Sequence, residues 1–178
     1  MSADVLWLGE VGAADGQLVG GKAANLGELL RKSFPVPNGF VVSAGAYSRF
    51  YRGLGLQANL ARDASAAAIA QECAAIRGTI EGADLTPELA DAILGAHATL
   101  VAGHARKVLC AVRSSATAED LGAASFAGQH GTYYYVDGEN LLTKVKQCWA
   151  SLWSPEAASY RATHGIDDAS VSMAVVVQ

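Results

Sequence analysis

Residues 111–132 read AVRSSATAEDLGAASFAGQHGT, and the reading of this stretch decides what kind of fold the rest of the chain builds. An apolar lead-in of Val108, Leu109, Cys110, Ala111 and Val112 predicts a strand, which delivers Arg113 into a run of small and polar residues. Ser114, Ser115 and Thr117 follow, then the acidic pair Glu119 and Asp120. A second small-residue segment at 122–131 has Phe126 as its only large apolar member. Gly128 and Gly131 permit positive φ and close approach of backbone to a ligand, and hydroxyls with successive N–H groups can surround phosphate oxygens. Arg113 would offer the same oxygens a permanently charged, planar fork. Residue types and spacing leave a second reading open, a long surface loop with a salt-bridged arginine.

Upstream, VGGKAANLGELLRKS sets Leu26, Leu29 and Leu30 at helical spacing with Ala23 beneath them, and Gly20 and Gly21 stand at the helix entry. Lys22 therefore sits at a helix N-terminus, where N–H groups and the dipole favour an anion. A cation placed there works against the dipole unless an anion lies between them. The P-loop pattern GxxxxGK[ST] is not met, because Ala23 follows the lysine.

The rest of the chain alternates short strands with amphipathic helices. VLWLG at 5–9 predicts a first strand ending in a turn through Gly16. Pro35, Pro37, Asn38 and Gly39 punctuate the approach to a strand of Phe40, Val41 and Val42, after which Ser43 caps a helix whose Tyr47, Phe50 and Tyr51 form an aromatic core stripe. Two helices follow between Asp63 and Gly103. The first carries Ile69, Cys73, Ile76 and Ile80 on one side; the second opens on Thr86, Pro87 and Glu88, buries Leu89, Ile93, Leu100 and Val101, and holds His97 on that stripe as a satisfied buried or boundary residue. TYYYV at 132–136 predicts a strand with Asp137 and Gly138 as its turn. Leu141, Leu142, Val145, Cys148, Trp149 and Leu152 mark the clearest amphipathic helix, and Ser154, Pro155 and Glu156 begin another. VSMAVVVQ is apolar on both faces, the pattern of a central strand.

The 178 residues suffice for one good core or two small sublobes, at about 1–106 and 107–178. A hydrophobic share of 51% against 17% charged residues excludes a disordered chain. A net charge of −4 without any Lys/Arg run gives nucleic acid or an anionic membrane little to hold. The N-terminus MSADVLWLGEV shows neither a basic region nor an apolar one, and no apolar run approaches about 18 residues, so the expectation is a cytoplasmic protein without membrane span. Cys73, Cys110 and Cys148 each sit in an apolar pattern and read as reduced core thiols, while the four histidines show no metal-ligand spacing.

Taken together, the stretch at 111–132, GGKAANLGELL at 20–30, PVPNGFVVS at 35–43 and CWASLWSPEAASYR at 148–161 resemble, in the same order, the N-terminal ATP-binding region of the pyruvate phosphate dikinase and phosphoenolpyruvate synthase family, whose domain rifampin phosphotransferases share. Only residues 52–106 lack a signature of their own. The resemblance implies an α+β fold, the first part of an ATP-grasp-type nucleotide-binding domain with a mixed sheet and packed helices. The second ATP-grasp lobe, with its magnesium carboxylates, and the phosphohistidine domain would lie outside this chain. It implies that Lys22 and Arg113 contact ATP phosphates, that the segment from Ser125 through Gly128 to Gln129 closes over them, and that Thr132 belongs to the same site. No catalytic residue and no metal ligand is assigned within the chain. In the family, the two terminal phosphates of ATP pass to a carrier histidine, phosphate is released, and the remaining phosphoryl group reaches pyruvate or another acceptor, leaving AMP. The expected function is the ATP-binding portion of a phosphoenolpyruvate synthase-like phosphotransferase, inactive in isolation. A rifampin-type phosphotransferase and a non-catalytic nucleotide-binding module stand as alternatives.

Overall fold

A strand that is apolar on both faces needs cover on both, and the last strand, β5 (Met173–Val177), has it: every residue of it is buried at the centre of a five-stranded sheet. The computed structural model describes residues 3–56, 65–117, 131–166, 168 and 171–178. The other strands are β1 (Val5–Trp7), β2 (Phe40–Val42), β3 (Cys110–Ala116) and β4 (Thr132–Val136), and the spatial order is β1-β2-β5-β3-β4. Strands from both halves of the sequence thus share one sheet.

The fold is α+β, as expected, but the sheet is antiparallel at every described pairing rather than mixed. The reason lies in β5. Strands β2 and β3 each run antiparallel to it and therefore run in the same direction as each other, so they would make a parallel pair if they touched. Insertion of β5 between them, with Val42 opposite Val175 and Ser114 opposite the same residue on the other side, removes that pair.

Alternation along β5 sends its side chains into two cores. Ala174 and Val176 join Val41, Leu8, Val11, Val19, Ala23 and Ala24 beneath helix α1 (Gly16–Arg31). Met173, Val175 and Val177 join Phe40, Val42 and Val112 on the opposite face, against α2 (Ala44–Gly53), α3 (Ala66–Gly82), α4 (Pro87–Val101) and α5 (Gly138–Ala150). Helix α6 (Pro155–His164) packs on α3, where Ala158 meets Ile69 and Cys73. The aromatic stripe of α2 is core: Tyr47 and Phe50 lie against Trp149, Tyr51 stacks on Trp153 at 5.4 Å, and Trp153 Nε1 donates to the Tyr47 hydroxyl at 3.1 Å.

The caps read from sequence are in place. Ser43, Thr86 and Ser154 each accept a first-turn N–H, from Ala46, Leu89 and Ala157, an interaction worth about 1 kcal/mol apiece. Asp137 is a cap as well rather than part of a turn, since its carboxylate accepts the Asn140 N–H at 3.2 Å and starts α5 directly.

Two expectations about side-chain placement need correction. Helix α1 buries Ala23, Ala24 and Gly27 and leaves Leu29 exposed, because the helix lies so close to the chain beneath it that a Cβ at Gly27 would collide with the Val11 carbonyl. Leu26 and Leu30 pack only at the margin. His97 lies at the boundary of α4 as expected, with its ring against Gly138, but its Nε2 is buried without a hydrogen-bond partner among the described residues.

Candidate functional site

Helix α1 is broken at Gly20, whose backbone has φ 75° and ψ 162°, and helical geometry resumes immediately afterwards. Lys22 consequently stands in the first turn of the resumed helix, the position its sequence context predicts. Its ammonium donates to the main-chain carbonyl of Ser114 on β3. The site is therefore built where a helix start meets a strand.

Register places Arg113 beside it. Arg113 is opposite Thr132 on β4 and opposite Val176 on β5, and cross-strand partners project to the same face of a sheet. Val176 belongs to the core beneath α1, so Arg113 and Thr132 lie on the α1 face, the face that carries Lys22. Thr132 is exposed and Arg113 half-buried. The guanidinium reaches Gln178 through Nη1 and Oε1 at 3.5 Å, while its Nε is buried with no hydrogen-bond partner among the described residues. Among the described residues no carboxylate lies within ion-pair distance of Arg113, so the salt-bridged arginine of the alternative reading is not found there.

Ser125, Gly128 and Gln129, with the acidic pair Glu119 and Asp120, lie outside the described residues. The residue that follows that segment, Gly131, is well held. Its carbonyl accepts from the Ser114 N–H at 3.0 Å, the Ser114 hydroxyl at 3.2 Å and the Cys148 thiol at 3.6 Å. Burial pushes that thiol up to about 12, a shift that the nearby Lys22 charge opposes. Cys73, Cys110 and Cys148 are all free and buried.

The hydroxyls after Arg113 turn inward rather than toward a ligand. Ser114 and Ser115 are both fully buried; Ser115 Oγ accepts the Ala23 N–H at 3.2 Å, and Thr117 donates to the Ser172 carbonyl at 3.1 Å. Neither the structural use of Ser115 nor the proximity of Gln178 to Arg113 was legible from spacing. The double glycine before Lys22 was the one available signal that a backbone comes unusually close there. A described cavity of about 310 Å³ between α2 and the start of α4, lined in part by Asp4, Arg49, Phe50 and Leu89, does not include Lys22 or Arg113.

A cation at a helix start, a second cation on the adjoining strand and an exposed threonine on the next one thus share one face of an α+β scaffold. The chain belongs to the family described as "Pyruvate phosphate dikinase, AMP/ATP-binding domain", whose profile matches residues 16–178. It is 45% identical over 98% of its length to the probable phosphoenolpyruvate synthase of Archaeoglobus fulgidus, covering 24% of that protein. The phosphoenolpyruvate synthases of Aeropyrum pernix and Pyrococcus furiosus are 42% and 39% identical, again over 98% of this chain and over 22% and 26% of their own lengths. The chain thus spans about a quarter of these relatives.

Proposed function

We propose that this chain is the ATP-binding portion of a dikinase-type phosphotransferase, phosphoenolpyruvate synthase-like in its chemistry, with Lys22 and Arg113 holding nucleotide phosphates. Phosphoryl transfer asks a protein for positioning and charge neutralisation more than for covalent chemistry, and two cations beside a helix start supply both. Ser125, Gly128 and Gln129 are assigned to the segment over the phosphates, and Thr132 to the same site. The observation that carries the reading is that the strand register and the Lys22–Ser114 hydrogen bond bring two cations from distant segments to one face of the sheet. Family membership and relatives named phosphoenolpyruvate synthase support it.

The remaining parts of the reaction are assigned elsewhere. Magnesium is assigned to carboxylates of a second ATP-grasp lobe, and no step here runs through it. The carrier histidine and the acceptor, pyruvate, belong to further domains as well, and the isolated 178 residues should form no AMP from ATP. A cytoplasmic site of action is part of the proposal; of the structure it can be said that no described helix is long and apolar enough to cross a membrane.

Arg113→Ala in the full-length protein tests the reading. Loss of charge-assisted contacts at about 1.5–3 kcal/mol each should weaken ATP binding by roughly ten- to a hundredfold. An ATP dissociation constant equal to that of the parent protein would remove Arg113 from the site.

A further inference from the structure

A lysine in the first turn of a helix is electrostatically misplaced, because the unsatisfied N–H groups there already carry partial positive charge. Something must hold that turn while it presents a cation. In this chain the holding group is not an N-cap from the preceding residues: Gly20 has no side chain, and the Ala23 N–H goes to the hydroxyl of Ser115, 92 residues further along and fully buried on β3. Gly20 makes the contact possible. Its φ of 75° and ψ of 162° fall in a region that only glycine adopts readily, and a Cβ there would collide with both the carbonyl and the hydroxyl of Ser115.

The consequence is geometric. Ser115 ties down Ala23, whose neighbour Lys22 reaches the Ser114 carbonyl, and Arg113 precedes Ser114 on the same strand. One hydroxyl thus links the helix start that carries Lys22 to the strand that carries Arg113.

We propose that Ser115 is a positioning residue for the nucleotide site, acting through Lys22 by capping the helix start that carries it. With its hydroxyl buried and engaged, Ser115 does not itself contact the ligand. The inference rests on the reading of Lys22 as a phosphate contact and names a device that this reading does not require.

The test is a double-mutant cycle in the full-length protein, with binding of a non-hydrolysable ATP analogue with magnesium measured by calorimetry and melting temperature recorded alongside. Ser115→Ala should weaken the analogue about three- to tenfold, the range for loss of one neutral hydrogen bond. In the Lys22→Ala background the same change should weaken it no further, while lowering the melting temperature as much as it does in the parent. Ser115→Cys keeps the volume with a poorer acceptor and should reproduce the loss if the alanine variant is too unstable to assay. Unchanged affinity in Ser115→Ala, or losses that simply add in the double variant, would overturn the positioning role and leave the Lys22 reading standing. Unchanged affinity in Lys22→Ala would overturn both.

Discussion

Lys22 donates its ammonium hydrogen bond to the main-chain carbonyl of Ser114, a residue 92 positions further along the chain. That hydrogen bond fixes the lysine side chain on β3 through the dipole of a carbonyl. Arg113 is next in sequence to that carbonyl, so the first turn of the resumed α1 meets β3 beside the strand's arginine.

Gly20→Ala should destabilise the fold without touching any ligand. The backbone conformation alone costs on the order of 1–3 kcal/mol for a residue with a Cβ, and the collision with Ser115 adds to it. At about 2–4 °C per kcal/mol for a chain of this size, the thermal midpoint should fall by several degrees. A midpoint equal to that of the parent would mean that the helix does not break at Gly20.

Asp137 should make stability depend on acid in a defined window. The hydrogen bond from Lys107, then those from Asn140, pull its carboxyl from 3.8 down to about 2. A depressed folded-state value means that the contribution is complete above the unfolded value and fades as the pH falls through the folded one. Asp137→Ala should therefore melt below the parent at neutral pH, and the gap should close between pH 3.8 and about 2. A gap that persists unchanged at pH 2 would show that the carboxylate is not what starts α5.

Tyr47→Phe should cost about 1–3 kcal/mol, read from denaturant unfolding, because it leaves the buried Trp153 indole N–H without the acceptor it now has at 3.1 Å. Burial also drives the Tyr47 phenol well above its ordinary range, so the donor and acceptor roles stay fixed through alkaline pH. Stability equal to that of the parent would place another acceptor at the indole.

Much of this was readable in the residues themselves, for reasons that differ by element. Helix starts are local, so Ser43, Thr86 and Ser154 announced them through their own hydroxyls and the prolines that follow two of them. The central place of β5 was legible because a strand covered on both faces needs an unbroken apolar run. Its insertion between β2 and β3 was not, since pairing partners more than a hundred residues apart leave no periodic trace. The face of α1 was misjudged for a related reason: leucine spacing marks the larger side chains, while a helix pressed onto neighbouring backbone selects Ala23, Ala24 and Gly27. Lys22 and Arg113 could be singled out because a cation after two glycines and a cation after an apolar strand are both unusual. Ser115 could not, because nothing in its neighbourhood distinguishes an inward hydroxyl from an outward one.

A crystal structure of the full-length protein with a non-hydrolysable ATP analogue and magnesium tests the central claim most directly. Phosphate oxygens should lie within hydrogen-bond reach, about 2.7–3.2 Å, of both Lys22 Nζ and the Arg113 guanidinium, with Thr132 at the same site. A triphosphate bound elsewhere, touching neither cation, would contradict it.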